Sequence, residues 1–172
     1  MLKAAGVILV VFSCGAMGFS KSLSYGRRQR QLEEIQKMVV LLLGEITCRR
    51  EALPEAMERV ALKVKSPLSD FLREAARAAG AYQGERFSQI FAQKAEEYLG
   101  NSGLNSRDRE ELARLGECLG YLDASTQETT AALYLEELKR EIERTNLEAP
   151  AKKKLYQSMG ILGGIFLALL FL

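Results

Sequence analysis

The side chains that most often do chemistry near neutral pH are scarce in this chain. It has no histidine and three cysteines, Cys14, Cys48 and Cys118. Without His, the commonest general base and the commonest metal ligand are missing, and neither a Ser-His nor a Cys-His pair can be built. The cysteines lie too far apart in sequence for a zinc or thiol-exchange motif. Cys48 and Cys118 read as small buried hydrophobes of a reducing compartment. No glycine-rich phosphate loop is present. Carboxylates are plentiful, but Glu110, Glu111, Glu136, Glu137, Glu141 and Glu143 sit among basic residues on polar helix faces and read as solvated. Asp123 stands apart, in the linker Leu122-Asp123-Ala124-Ser125. There it can support the following helix through its dipole, or offer a carboxylate to a partner. No catalytic set, cofactor or metal is expected, and the chain reads as not an enzyme.

The elements that position these residues are helical. The chain of 172 residues is 48% hydrophobic, has three prolines and carries a formal net charge of +2. That near-neutral balance argues against nucleic acid as a partner. Leu32, Ile35, Val39, Leu42, Leu43 and Ile46 recur at spacings of three and four, predicting a helix over about 28–47. Pro54 suits the first turn of a second helix with Leu53, Met57, Val60, Ala61 and Val64 inward. Ser66 as cap and Pro67 in the first turn open a third, carrying Leu68, Phe71, Leu72 and Ala75. Gly80 and Gly84 bracket a loop. The fourth helix, 85–99, buries Phe87, Ile90, Phe91, Ala95 and Tyr98, and residues 100–103 end it. Asn105 or Ser106 caps the fifth, whose inner residues are Leu112, Leu115 and Leu119. Gly116 and Gly120, one turn apart on it, predict close approach of a neighbouring helix backbone, because an interior glycine costs up to ~1 kcal/mol and needs a reason. Ser125 with Glu128 forms a capping box for the sixth, which turns Ala131, Leu135, Leu138 and Ile142 inward. Residues 146–150 break the pattern. No strand pattern is present.

Both ends are apolar and uncharged. Residues 4–20 and 155–172 contain no charged side chain. As helices they would be roughly 25 and 27 Å long, near the ~30 Å hydrocarbon thickness of a bilayer. The expected fold is therefore all-α: an antiparallel bundle of about six helices over 21–151, flanked by transmembrane helices at 1–20 and 152–172. Lys21, Arg27, Arg28 and Arg30 follow the first run and Lys152, Lys153 and Lys154 precede the second. The positive-inside rule then puts the bundle in the cytoplasm and both termini across the membrane. Gly160 and Gly164, and likewise Cys14 and Gly18, are small residues one turn apart and suit helix packing in lipid. A cleaved or lipidated first segment is the alternative, although Phe12 is bulky for a lipoprotein site at Cys14.

In its order of segments the chain resembles the stage III sporulation protein AB family of endospore-forming bacteria. The resemblance rests on Leu41-Leu42-Leu43-Gly44-Glu45-Ile46, on Leu53-Pro54-Glu55-Ala56, and on Leu115-Gly116-Glu117-Cys118-Leu119-Gly120 followed by Asp123 and Gln127. It closes with Lys154-Leu155-Tyr156 and residues 160–164 before the last apolar run. Relatives carry a Trp in the fourth helix, where Ile90 or Phe91 stands here. The resemblance implies a cytoplasmic domain like that of type II secretion platform proteins. It also implies a non-enzymatic role in the channel between mother cell and forespore, in the mother-cell membrane. The implied neighbour is a secretion-type ATPase, stage III sporulation protein AA. On this reading Glu45, Asp123 and Gln127 are contact candidates, and Pro54, Gly116 and Gly120 are architectural. A bitopic helical adaptor unconnected with sporulation is the other reading. Neither fixes an oligomeric state.

Overall fold

The computed structural model describes the backbone of residues 2–49, 51–81, 86–120 and 124–171. Side chains are described in these stretches except at 2–22, 124, 125, 149, 153, 156, 157, 160, 161 and 163–171. Six helices follow one another: α1 (Leu2–Arg49), α2 (Leu53–Ala61), α3 (Leu68–Gly80), α4 (Phe87–Leu99), α5 (Ser106–Leu119) and α6 (Ala124–Phe171). Among the described residues there is no strand. The all-helical expectation therefore holds.

The chain divides into two compact units, Met1–Gln29 with Glu143–Leu172, and Arg30–Ile142. In the second unit, α2 packs on α3, α3 on α4 and α4 on α5. Most of the spacing-derived inner residues form the core, while Leu43, Leu53, Phe87, Tyr98 and Leu135 pack against it only partly buried. Leu32, Ile35, Val39, Leu42, Met57, Val60, Leu68, Phe71, Leu72, Phe91, Leu112, Leu115 and Ala131 are all buried. Met38, which the stripe on α1 passed over, is buried with them. The fully buried Phe91 stands edge-on to Phe71, ring centroids 4.9 Å apart at 77°. Edge-to-face packing sets the positive ring edge against the negative ring face.

In the first unit, α1 and α6 run in opposite directions. Arg28 Nη1 donates to Thr145 Oγ1 at 3.2 Å. The Lys152 ammonium stands 5.8 Å from the centre of the Tyr25 ring. As the α1 number falls from 28 to 25, its α6 partner rises from 145 to 152, which fixes the antiparallel register.

Several local expectations are corrected. The separate flanking helices do not exist as separate elements, since 2–49 and 124–171 are each a single helix. Hydropathy changes along them, but the hydrogen-bond ladder of a helix does not depend on constant hydropathy. The break at 146–150 is absent too, and Pro150 lies inside α6. Its missing N–H and ring cost of order 3 kcal/mol in a helix interior, yet the good helix formers around it, Glu148, Ala151 and Lys152, carry the helix through. Helix α6 is already formed at Ala124, so Ser125 lies within its first turn and not before it. Pro67 occupies the N-cap position of α3 without a side-chain cap, and Ser66 donates to Asp70 Oδ2 at 2.6 Å instead. Gly80 closes α3 as its last residue, while Gly84 lies outside the described residues. Cys48 is exposed and Cys118 half-buried, so neither is a core residue.

Among the described residues no helix is long and apolar enough to cross a membrane. The apolar runs at 4–20 and 155–172 fall mostly on side chains outside the description.

Candidate interaction sites

Glu45 lies in the last turns of α1, on the side that meets α2 and the turn after it. The sequence made it a contact candidate. The structure buries it, leaving 6% exposed, and engages it within the chain. Lys63 Nζ donates to Oε1 at 2.8 Å, and Arg49 Nε stands 3.3 Å from Oε2. The Lys63 hydrogen bond, opposed by burial and aided by the charges of Arg49, Lys63 and Arg59, holds the Glu45 carboxyl below the usual carboxylate range. Lys37 reaches over to donate to the Lys63 carbonyl at 2.6 Å, and Arg59 pairs with Glu51 at 2.8 Å. The two Lys63 links tie α1 to the turn after α2, and the Arg59–Glu51 pair ties α2 to the short stretch that precedes it. Glu45 thus holds the end of α1 to the turn after α2 through Lys63.

Pro54 lies in the first turn of α2, where the helix needs no N–H from it. The α5 N-terminus closes as a reciprocal cap. Asn105 Oδ1 accepts from the Asp108 N–H at 2.8 Å, and Asp108 Oδ2 accepts from the Asn105 N–H at 3.0 Å. At Gly116 what approaches is the Phe91 side chain, not a neighbouring helix backbone. A Cβ there would stand 2.4 Å from Phe91 Cδ1 and 2.9 Å from Phe91 Cβ, so the ring of α4 lies directly on the α5 backbone. Gly120 does not need the same explanation. It is the α5 C-cap, and a Cβ would find its nearest atom at 3.4 Å.

Gln127 was also a contact candidate. Its Nε2 donates to the Leu119 carbonyl at 2.8 Å. That carbonyl is among those the end of α5 leaves without a helical partner. Gln127 therefore splices the end of α5 to the start of α6. Nothing in the sequence pattern signalled this bond, because it needs the fold of the intervening turn. Asp123, which lies in that turn, is outside the described residues, and so are the surroundings of Gly160 and Gly164 on α6.

Two hollows flank α4. One, of about 270 Å³, lies against α5 and is lined by Ala92, Ala95, Glu96, Arg109 and Ala113. Its polar side is already used, since Arg109 donates to Glu96 at 2.7 Å and to the Leu104 carbonyl at 3.0 Å. The other, of about 420 Å³, is bordered by Arg86, Phe87, Ser88, Glu117 and Gly120. Burial, then the charge of Glu117, pushes the Cys118 thiol up, which keeps it protonated and unreactive. Among the described residues no group of three or more Cys, Asp or Glu could hold a metal ion.

The model of the stage III sporulation protein AB family matches residues 3–172. The chain belongs to this family. Its fold is also that of a solved stage III sporulation protein AB, with a TM-score of 0.66 at 19% identity. The superposition covers 72% of this chain and 97% of that one. At that identity the likeness speaks for the fold alone. No curated protein sequence matches the chain. Sporulation is thus the process in which this all-helical chain takes part.

Proposed function

We propose that the chain is a non-enzymatic, membrane-anchored platform component of the channel between mother cell and forespore. It presents its helical unit, residues 30–142, to a secretion-type ATPase of the stage III sporulation protein AA kind. Family membership supports the setting. The observation that carries the mechanical part is the antiparallel pairing of α1 and α6 through Arg28–Thr145 and Tyr25–Lys152. Both helices continue from this pairing, without interruption, into the apolar runs at 4–20 and 155–172. A rigid two-helix root of this kind can resist the force of a motor, where a flexible linker would not. In this reading the basic flanks keep the helical unit on the cytoplasmic face, with the ATPase.

The core faces are consumed by the bundle, so the motor must grip polar surface. With Glu45 and Gln127 occupied inside the chain, the turn at 121–123 with Asp123 is the remaining sequence-derived contact. The test is co-purification of the ATPase with the full chain from sporulating cells, comparing the unmodified chain with Asp123→Asn. Recovery of the ATPase with the unmodified chain and less of it with the variant supports the platform reading. No recovery with either refutes it. A parallel labelling of cysteines placed at residues 100–103 checks the topology. Strong reaction with an impermeant reagent in intact cells would put the unit on the wrong face.

A further inference from the structure

The antiparallel register brings together two basic stretches that the sequence keeps far apart. Residues 21–30 hold four basic and no acidic side chains, and residues 143–154 hold four basic and two acidic ones. With Tyr25 beside Lys152 and Arg28 beside Thr145, the two stretches lie level with each other. Arg27 and Lys154 are exposed. Lys152 is steadied by Glu148 at 2.5 Å and by the Tyr25 ring. Arg28 is held by the Thr145 hydroxyl. The acidic residues of this level are Glu143 and Glu148, and Glu148 is taken up by Lys152 and, at 3.9 Å, by Arg144.

A second observation adjoins the first. Immediately past the belt, apolar side chains on α6 turn outward with helical spacing. Leu155, Met159 and Leu162 are 55%, 62% and 65% exposed. On α1, Leu23 is 47% exposed at the matching end. Positive charge on one side of a line and exposed aliphatic surface on the other is the pattern of a membrane boundary.

We propose that Arg27, Arg28, Lys152 and Lys154 form one belt that binds anionic phospholipid headgroups. The proposal rests on the membrane-anchored reading above and goes beyond it by naming the lipid class. Anchoring needs only apolar length, whereas this belt reads headgroup charge. The two exposed cations, Arg27 and Lys154, reach the headgroup phosphates. Lys152 and Arg28, each held by a neighbour, fix the spacing between the helices.

The test places the full chain in phosphatidylcholine bilayers and measures its association with spin-labelled phosphatidylglycerol and spin-labelled phosphatidylcholine. The unmodified chain is expected to favour phosphatidylglycerol several-fold at low salt, with the preference falling as salt rises. Each lost cation weakens it by up to about fivefold, so the double variant Arg27→Gln with Lys154→Gln approaches no preference. The charge-keeping pair Arg27→Lys with Lys154→Arg retains it. Circular dichroism confirms that both variants keep their helices. Equal association with the two lipids, or an unchanged preference in the Gln variant, overturns the proposal and leaves the belt to an acidic protein partner. If the chain fails to float with pure phosphatidylcholine vesicles, the anchored reading itself falls and takes this one with it. Flotation without lipid preference overturns the lipid class alone.

Discussion

A single added methyl group should have opposite effects at two glycines of this chain. At Gly116 an alanine Cβ would lie 2.4 Å from Phe91 Cδ1, 2.7 Å from Cγ and 2.9 Å from Cβ. Carbon atoms in good contact are about 3.5 Å apart or more, so the ring must retreat by about 1 Å. The clash reaches Phe91 Cβ, next to the α4 backbone, so rotating the ring cannot relieve it. The ring is also boxed in by Phe71 at 4.9 Å and Phe87 at 5.5 Å. Overpacking a core costs typically ~1–3 kcal/mol, and this geometry belongs at the upper end. The better helix propensity of Ala returns ~1 kcal/mol. Gly116→Ala should therefore destabilise by about 1–2 kcal/mol, a fall in Tm on the order of 5 °C. At Gly44 an added Cβ meets nothing within 4 Å, so only the propensity gain remains. Gly44→Ala should stabilise by ~0.5–1 kcal/mol. Urea unfolding of the full chain in mild detergent, followed by circular dichroism, measures both. Phe91→Leu combined with Gly116→Ala tests the cause, because trimming the ring should make the pair less costly than the two single changes added together. A Gly116→Ala chain as stable as the parent, or strict additivity in the pair, would refute the packing argument.

Other outcomes follow from the same geometry. Gln127→Ala should lower stability by ~0.5–1.5 kcal/mol by orphaning the Leu119 carbonyl, and leave ATPase co-purification unchanged; weaker co-purification at equal stability would return Gln127 to the surface. The Glu45 carboxyl is held low by Lys63, so its folded value lies below its unfolded value. Its stabilising contribution is complete above the unfolded value and is lost as the pH falls through the folded one. Urea midpoints should thus decline on acidification through the carboxylate range, and Glu45→Gln should flatten that decline. Burial first, then the charges of Glu111, Asp108 and Glu137, pushes the Tyr134 phenol far above the ordinary tyrosine range. Ultraviolet-difference titration should find a tyrosine that ionises only as the chain unfolds in alkali, and Tyr134→Phe should abolish that late step.

The bundle was legible because its signals are local and redundant. The stripe from Leu32 to Ile46 repeats at helical spacing, and burial follows it at Leu32, Ile35, Val39, Leu42 and Ile46, with Leu43 only half-buried. Pro54 marks a helix start because the first turn needs no N–H from it, and Asn105 marks one because its side chain accepts from the Asp108 N–H three residues on. Gly116 was legible for a different reason: an interior glycine weakens a helix, so its presence required something pressed against it, and Phe91 is there. Gly44 shows how far that argument reaches. It has the same cost and no neighbour inside the chain, so local sequence cannot separate a glycine that packs from one that does not.

The roles of Glu45 and Gln127 were not legible, because a polar residue looks the same in sequence whether it faces a partner protein or its own backbone. Deciding between these needs the position of Lys63, eighteen residues along, and of the Leu119 carbonyl, eight residues back. The ends of the long helices failed for a related reason. A hydropathy boundary near residue 20 and a proline at 150 both read as places where a helix stops. A helix stops only where its backbone bonds find better partners, and neither feature supplies one. If α1 and α6 ended at the hydropathy change, flexible joints would separate the apolar ends from the folded unit. Being continuous, α1 runs unbroken through Tyr25 and Arg28 and α6 through Thr145 and Lys152, so the antiparallel pairing forms between helix interiors and not between frayed ends.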